Sequence, residues 1–459
     1  MGLRSIKYPA HALARLFRKY RPRRHPSWDP LDHLPYELVS AIFEQWLWGE
    51  LEDQHSNPSQ LPVLLCLVSQ SWRKVVYANP FLWQSVTIDV SLDKVRSLTV
   101  LRDRISRTQN VPLMLHLIVK ENPNLEALRI LFSQSHKFCE LSLTVSDSSW
   151  WKNVPLGPFS QLRKLAVKAW PARLGCRKLT SIFSTAPLLR STDWSAPLDP
   201  SPLLGVYGDT FLSLDLGNAK ARIPSILNIF AACPQLCDAT INVIAEGDAS
   251  SLQHGLVMGN LRRLVVTASG YLPVHLLASI CAPRLIAFGI TWCGSGSRAP
   301  ISLSLESFLS HSPLIQNLTL NHIIHSEDSL IRILRAHSRV RSLAMLNTDE
   351  QANLLTDRVF RLLTPDDEET PKQRKVLLPR LEELVINGGL RKVKSNAIFN
   401  LLGSRGLQSF TSWEPRSRPA QVGRLKVVEI GLHNDFGSDD QRLWMYGPRY
   451  GDSITFSLG

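Results

Sequence analysis

The chain has 459 residues, of which 44% are hydrophobic and 20% are charged. This composition is typical of a folded protein with room for more than one domain, and it excludes a wholly disordered chain. No apolar run approaches the length of a membrane-spanning helix, so we expect no membrane association. The seven cysteines are scattered and odd in number, which favours buried thiols in a reducing compartment over a disulfide framework.

The net charge of +13 is concentrated at the start of the chain. Residues 1–28 contain eight Arg and Lys residues and no acid, which leaves +5 (13 − 8) for all other residues. We predict that this segment is a basic, disordered tail. The residues leave three interpretations open: a solvated arm, a nuclear import signal around residues 18–24, and an Arg-rich transit peptide.

Residues 29–90 carry the pattern of two amphipathic helices. Leu34-Pro35-x-Glu37-Leu38 opens the first, because proline suits the first helical position and the helix dipole favours a carboxylate in the first turn. Apolar residues then recur at helical spacing and predict a wide stripe on one face, formed by Leu38, Val39, Ile42, Phe43, Trp46 and Leu47. A second helix is predicted from about Pro62 to Asn79-Pro80, where the proline ends it. The stretch Trp48–Gln60 is predicted as a long acidic loop between the two.

These motifs, in this order, resemble the F-box, and most of all the large F-box families of mushroom-forming fungi. The resemblance consists of Leu34-Pro35-x-Glu37-Leu38-(x)3-Ile42-Phe43, Leu67-Val68-Ser69-x-x-Trp72-Arg73 and Pro80-x-Leu82-Trp83. The chain departs from the family in its longer inter-helix loop and in Ser69, which stands where a cysteine is usual. The resemblance implies that this module binds a Skp-type adaptor and, through the adaptor, a cullin-based ubiquitin ligase.

The resemblance assigns adaptor binding to the residues that form the motifs. They are Leu34, Pro35, Glu37, Leu38, Ile42, Phe43, Leu67, Val68, Trp72, Leu82 and Trp83. An ordinary helical hairpin is the alternative interpretation of the same pattern. In that case the apolar stripe would pack on the rest of this chain.

Beyond about residue 110, a short helical segment, a proline or polar break and a Leu-x-x-Leu-x-Leu motif follow one another repeatedly. The motif begins at Leu162, Phe211, Leu261, Leu285, Leu381 and Leu425, with weaker copies at Ile315 and Val340. Helical patterns cover residues 225–231, 274–280, 305–310 and 330–336, and another is predicted around 354–363. From Leu261 to Val340, successive motifs are 24, 30 and 25 residues apart, which is close to the length of leucine-rich repeats that bury their leucines by stacking.

The predicted fold is therefore α/β: an N-terminal helical F-box followed by an irregular leucine-rich-repeat solenoid. A parallel β-sheet is expected on the concave face, with helices outside. Residues 91–140 are predicted as a helical linker with the first cap repeats, and residues 141–459 as the solenoid. An α/β domain whose strands and helices alternate less regularly is the alternative.

The x positions of the repeated motif are predicted to face the concave surface, because side chains alternate along a strand. The charged residues at these positions are the candidate target-binding residues, namely Arg163, Lys164, Lys168, Arg262, Arg263, Glu382 and Glu383. The charge changes sign along this face and stacking aromatics are missing, which favours a protein ligand and makes nucleic acid the weaker candidate. Residues 364–375, which are polar and contain two prolines, are predicted as an exposed insertion.

Residue patterns of known catalytic and metal sites are missing from the sequence, including the nucleophile elbow, the phosphate-binding loop and zinc-ligand spacings. His311, His322 and His325 lie close in sequence but lack the spacing of paired helical ligands, so we expect them at the surface or at strand edges. We therefore predict that the protein is not an enzyme. We expect no catalytic residue, no cofactor and no metal, and a location in the cytoplasm and/or nucleus.

The sequence supports three hypotheses about function. The first is a substrate-recognition subunit of a Skp–cullin–F-box ubiquitin ligase, in which the F-box holds the adaptor and the repeats bind an unidentified target protein. Such a receptor acts by raising the effective concentration of its target near the ubiquitin-loaded enzyme. The second is a ligase-independent scaffold whose F-box packs on its own repeats. The third is a protein that associates with nucleic acid through its basic tail.

Overall fold

The computed structural model describes residues 33–52, 58–90, 98–120, 122–146, 150, 153–155, 157–169, 186–195, 208–244, 255–269, 273–293, 299–324, 326–346, 355–365, 376–387, 393–405, 423–432 and 453–458. The chain divides into a helical unit, residues 1–87 and 99–113, and a repeat unit, residues 88–98 and 114–459. The predicted basic tail and most of the insertion at 364–375 lie outside the described residues. Within the described part of the chain, no helix is both long and apolar enough to cross a bilayer.

The helical unit is built from four α-helices and two short 3₁₀ segments among its described residues. The helices are α1 (Tyr36–Glu52), α2 (Leu61–Cys66), α3 (Gln70–Ala78) and α4 (Leu98–Arg107). The 3₁₀ segments are Pro58–Gln60, before α2, and Pro80–Trp83, after α3. Helix α4 comes after the F-box-like motifs in sequence, yet most of it belongs to this unit.

The prediction of a single second helix is wrong, because the chain breaks between α2 and α3 at Leu67-Val68-Ser69. The backbone at Ser69 is extended, and its hydroxyl oxygen accepts a hydrogen bond from the Trp72 backbone N–H at 3.2 Å. This is the N-cap arrangement that serine favours, and it starts a new helix instead of continuing the old one. The predicted loop is also shorter than expected, since α1 continues to Glu52.

The repeat unit contributes most of a 14-stranded sheet, in which successive strands of the chain lie side by side. The strands are β1 (Ser85–Asp89), β2 (Leu113–Val119), β3 (Phe138–Val145), β4 (Lys164–Ala169), β5 (Ser191–Trp194), β6 (Ser213–Ala221), β7 (Asp238–Ile244), β9 (Arg263–Ser269), β11 (Ala287–Cys293), β12 (Asn317–Asn321), β13 (Ser342–Leu346), β14 (Glu383–Asn387), β15 (Val427–Leu432) and β16 (Ser453–Leu458). Two further strands, β8 (Leu256–Val257) and β10 (Ile280–Cys281), pair separately. Every pair from β3 to β16 is parallel.

The strand register aligns the repeated motifs, and all eight of them form strands of this sheet. One register position from β3 to β15 forms a buried column, which holds mostly leucines. Its members are Leu141, Leu165, Thr192, Leu214, Ala239, Leu264, Phe288, Leu318, Leu343, Leu384 and Val428. From β3 to β15, the alternate residues whose burial is described are partly or fully exposed apart from Gly289 in β11, so these strands bury one face of the sheet. This arrangement confirms the predicted leucine-rich-repeat solenoid, because each coil completes its core only against its neighbours.

The helices between the strands supply the other half of the core. They are α5 (Leu125–Phe132), α6 (Ile223–Ala232), α7 (Val274–Ser279), α8 (Ala299–Ser310), α9 (Glu327–Ala336), α10 (Asp357–Leu363) and α11 (Ser395–Ser404). The five predicted helical segments in this region are confirmed as α6 to α10. Helix α9 begins at the N-cap Ser326, whose hydroxyl accepts the Ser329 backbone N–H at 3.3 Å, and serine is a preferred residue at this position.

A ladder of backbone carbonyls fixes the turn before each strand to the preceding coil, where a coil is one repeat of the solenoid. The carbonyl of the residue just before a strand accepts two N–H groups from the next coil, as in Arg262, which accepts Ile286 N at 2.8 Å and Ala287 N at 2.9 Å. The carbonyl ladder consists of Arg163, Arg190, Leu212, Cys237, Arg262, Ile286, Gln316, Arg341 and Glu382. Two residues before each strand, a buried apolar side chain such as Leu261 or Leu285 anchors the turn. The turns are therefore fixed in register with the strands.

Candidate interaction surfaces

The core of the helical unit is formed by side chains from α1, α2, α3 and the Pro80–Trp83 segment. Its buried members are Val39, Phe43, Leu47, Leu61, Leu65, Cys66, Val76, Leu82 and Trp83. The rings of Phe43 and Trp72 pack with their centroids 4.9 Å apart. The indole N–H of Trp83 donates to the Val76 carbonyl at 2.9 Å, which satisfies the one polar group that this buried ring brings in.

Polar contacts fix the chain where the helices meet. Asn79 donates through Nδ2 to the Glu44 carboxylate on α1 at 2.8 Å, and its Oδ1 accepts the Phe81 backbone N–H at 3.0 Å. Arg73 on α3 donates through Nε to the Cys66 carbonyl at 3.1 Å, at the end of α2. These bonds hold the three helices of the F-box-like region together.

Two arginines of α4 complete the unit. The Arg104 guanidinium is largely buried and donates to the Ser59 and Ser85 carbonyls, and burial lowers its pKa. The Arg107 guanidinium carbon lies 3.9 Å from the Tyr77 ring centroid and 4.8 Å from that of Trp83, while its N–H groups pair with Asp103 at 2.6 Å. Neither arginine is among the residues predicted from the sequence to act in this unit. The spacing of Arg104 and Arg107, three residues apart in a helical pattern, places both on one side of α4 and is the sequence signal that could have identified them.

The helical unit also leaves many large apolar side chains in solvent. The first group lies on α1 and just before it, where Leu38 is 53% exposed, Ile42 is 54% exposed and Leu34 is exposed as well. The second group lies at the break after α2, where Leu67 is 73% exposed and Leu64 and Val68 also face solvent. Leu38 and Ile42 are four residues apart, so they project from one side of α1. Clusters of exposed apolar residues mark interaction sites on soluble proteins.

The predicted adaptor-binding residues therefore fall into two sets. Leu34, Pro35, Glu37, Leu38, Ile42, Leu67 and Val68 are exposed, and Trp72 is half-buried. Phe43, Leu82 and Trp83 lie inside the core of the unit, so they can act on a partner only by holding the exposed residues in place. The predicted stripe of α1 is thus divided, because Val39, Phe43 and Leu47 face inward while Leu38 and Ile42 face outward.

The predicted target-binding residues occupy two levels of the repeat unit. Arg163, Arg262 and Glu382 lie in the carbonyl ladder just before their strands, so they sit at the edge of the sheet and not on its outer face. Lys164, Arg263 and Glu383 are the first residues of β4, β9 and β14 and share one register level. Three strands, β5 to β7, separate Lys164 from Arg263. The structure brings these six residues to one edge.

Lys168 lies apart from the other predicted residues, further along β4 on the outer face of the sheet. Burial, together with the charge of Lys168, lowers the pKa of His116 on β2. Asp193 and Asp215 are not among the predicted target-binding residues, and they are direct neighbours in the register of β5 and β6. Asp193 accepts the Ser195 hydroxyl and Asp215 accepts the Gly217 backbone N–H, each at 2.8 Å. The outer face is therefore polar and carries both signs of charge.

The described cysteines, histidines and tryptophans lie in the following surroundings. No group of three or more His, Cys, Asp or Glu side chains among the described residues could hold a metal ion. Burial raises the pKa of Cys233 to about 12, with a smaller contribution from Asp209, so this thiol stays protonated at neutral pH. His311 is exposed, His322 is half-buried, and His325 lies outside the described residues. Trp150, Trp194 and Trp292 are buried and fill the core.

The molecule is thus a leucine-rich-repeat protein with an N-terminal helical unit. No protein-family model matches the sequence, and no curated protein matches it. The crystal structure of the yeast Rad7 and Elc1 complex is similar over 86% of this chain and 96% of that chain, at 12% identity and a TM-score of 0.39. The TLR13–ssRNA13 complex is similar over 77% of this chain and 55% of that chain, at 13% identity and a TM-score of 0.32. At TM-scores this low, neither similarity bears on function.

Proposed function

We propose that the protein is the substrate-recognition subunit of a Skp–cullin–F-box ubiquitin ligase. In this proposal the helical unit is an F-box that binds a Skp-type adaptor, and the repeat unit binds a target protein. The protein itself carries out no chemistry and works by bringing the target close to the ubiquitin-loaded enzyme. The F-box assignment comes from the order of the motifs between Leu34 and Trp83.

The exposure of Leu67 is the observation that carries this proposal. Leu67 leads the Leu67-Val68-Ser69-x-x-Trp72-Arg73 motif, and it is the most exposed large apolar residue of the chain's described part, at 73%. Its backbone is held by a hydrogen bond to the Leu64 carbonyl at 3.1 Å, and the Ser69 cap follows it directly. A leucine that is fixed in place yet open to solvent is suited to insertion into a partner.

The packing of Phe43 argues against the ligase-independent scaffold. That alternative requires Phe43 to be buried by the repeats of the same chain. Phe43 is instead buried in the core of its own unit, where its ring packs against Trp72. The basic tail, on which the nucleic-acid hypothesis depends, lies outside the described residues.

Co-purification of the full chain with a Skp-type adaptor tests the proposal. The double variant Ile42→Ser/Leu67→Ser removes apolar surface that the fold itself does not use, so it should abolish adaptor binding while the protein stays folded. Leu303→Ser is the matched control, because Leu303 on α8 is 72% exposed but belongs to the repeat unit. Failure of the unmodified chain to bind the adaptor, or equal binding by the double variant, would refute the adaptor role.

A further inference from the structure

The turns that precede the strands carry an unusual concentration of positive charge. Each turn is defined as the first residue of a strand together with the four residues before it. We consider the strands from β4 to β15 without the separate strands β8 and β10. These ten turns contain eleven Arg and Lys residues and four acids. The bases are Arg163, Lys164, Arg190, Arg262, Arg263, Arg284, Arg339, Arg341, Arg380, Arg424 and Lys426, and all of them are exposed. We call this set the basic edge.

The parallel sheet is what gathers these bases into one place. In a parallel sheet the starting ends of all strands lie at the same edge, and neighbouring strands are about 4.8 Å apart. Lys164, Ser191, Ser213, Asp238 and Arg263 share one register level on consecutive strands. Bases that are about a hundred residues apart in the sequence therefore line up along one edge, where their fields add.

Much of this charge has no internal counter-ion. Within the described ranges, no carboxylate pairs with the side chains of Arg163, Arg190, Arg262 or Arg263. The contrast with the helices is clear, because Arg332 pairs with Glu306 at 3.0 Å and Arg358 pairs with Asp328 at 2.8 Å. Counter-charges lie at both ends of the edge. Lys164 pairs with Glu140 at 3.6 Å, and at the far end Glu382 pairs with Lys426 at 2.6 Å and approaches Arg341 at 3.8 Å. Between them, Asp238 is the register neighbour of Arg263.

Exposed aliphatic side chains lie between the arginines. The turns before β5, β6 and β11 contribute Leu188, Leu212 and Ile286, which are three of the five large exposed hydrophobics among the described residues of the repeat unit. Leu212 and Ile286 belong to the carbonyl ladder, so their backbones are fixed. The described turns offer no exposed aromatic ring on which a nucleotide base could stack.

We propose that the basic edge, from the turn before β4 to the turn before β11, binds an acidic protein segment with aliphatic residues between its carboxylates. Arginine forms paired hydrogen bonds with carboxylates, which suits this partner, and the leucines and isoleucine would cover its aliphatic side chains. The inference rests on the target-binding half of the proposed function, since it names the chemistry of the target. It does not depend on the adaptor-binding half.

Fluorescence anisotropy with the full chain and a labelled synthetic peptide of repeated Asp-Glu-Leu tests this inference. The peptide should bind, and binding should weaken as salt is raised. The variant Arg190→Glu/Arg262→Glu should weaken binding by at least about tenfold, since the loss of charge-assisted contacts worth about 1.4 kcal/mol has that effect. The control Arg335→Glu/Arg361→Glu makes the same change of charge on helices α9 and α10, and it should weaken binding less than about twofold.

Two other probes separate the competing partners. A peptide of repeated Asp-Glu-Ser should bind more weakly than the leucine peptide, and so should a single-stranded oligonucleotide of equal charge. Equal losses from the two double variants, no binding of the leucine peptide, or tighter binding of either other probe would overturn the inference. The assay contains no adaptor, so these outcomes are independent of the co-purification test, and loss of adaptor binding would leave them unchanged.

Discussion

The Arg107 guanidinium carbon lies 4.8 Å from the Trp83 ring centroid, and it links helix α4 to the last motif of the F-box-like region. The same group covers the Tyr77 ring at 3.9 Å. Residues 99–107 therefore belong with the helices that precede β1, although the F-box-like motifs end at Trp83.

Replacing Arg107 should destabilise the helical unit. Arg107→Ala removes two cation–π contacts and the pairing with Asp103, so we expect the free energy of unfolding to fall by about 1–2 kcal/mol. Urea unfolding followed by tryptophan fluorescence measures this change. Arg107→Lys keeps the charge but loses the planar stacking, so its loss should be smaller. A full-sized loss for the lysine variant would show that the ring contacts and not the charge decide the effect.

Replacing Ser69 should weaken the start of α3. Ser69→Ala removes the hydroxyl that accepts the Trp72 N–H, and the lost cap should cost about 1 kcal/mol. Because Leu67 and Val68 lie directly before the cap, adaptor affinity should fall together with stability. Ser69→Asp supplies another capping oxygen and should restore both. An alanine variant with unchanged stability in urea would contradict the role assigned to this serine.

Arg405 ties together two distant parts of the repeat unit. Its buried guanidinium donates to the Leu363 carbonyl at 2.7 Å and to the Leu377 and Leu378 carbonyls, each at 3.1 Å. Arg405→Met would leave these carbonyls without their donor in a buried place, and we expect a loss of about 3 kcal/mol or more in the free energy of unfolding. Thermal unfolding measures the loss. The exposed Arg335→Met is the matched control and should change stability little.

The stability of the repeat unit should fall as the pH drops below about 6.5. Burial lowers the pKa of His337 from its usual value of 6.5, so the folded state keeps this ring neutral where the unfolded state takes up a proton. The unfolded state then binds more protons, and the free energy of unfolding decreases as the pH falls, until the folded-state pKa is passed. His337→Gln should reduce this slope. Urea midpoints between pH 5 and 8 test this.

The repeats could be predicted from the sequence because the apolar residues within each motif keep the Leu-x-x-Leu-x-Leu spacing, although the distance between motifs varies. Strands β5 and β7 were missed for a physical reason. Their positions in the buried column hold Thr192 and Ala239, which disrupt the leucine pattern although both are buried. The neighbouring strands place leucines beside them, so the column tolerates a small or polar side chain. The proline-containing turns at Pro187 and Pro234 were the remaining signal.

The candidate surfaces could be predicted only in part. The motifs located the helical unit, but helical spacing alone could not divide the α1 stripe into the buried Phe43 and the exposed Ile42. That division depends on which helices pack against α1, which is a property of the tertiary structure. The basic edge was missed for a similar reason, because its arginines are scattered in the sequence and meet only through the strand register.

In the carbonyl ladder, each repeat donates its hydrogen bonds to the repeat that precedes it in the sequence. Each carbonyl that orients a turn belongs to the coil made before it, as with Arg262 and the N–H groups of Ile286 and Ala287. A chain leaving the ribosome can therefore lay every new coil on a finished one, without waiting for its last residues. Chains interrupted during synthesis should already hold ordered early coils. Fragments that lack the early coils should have no carbonyl to accept the N–H groups of their first turn.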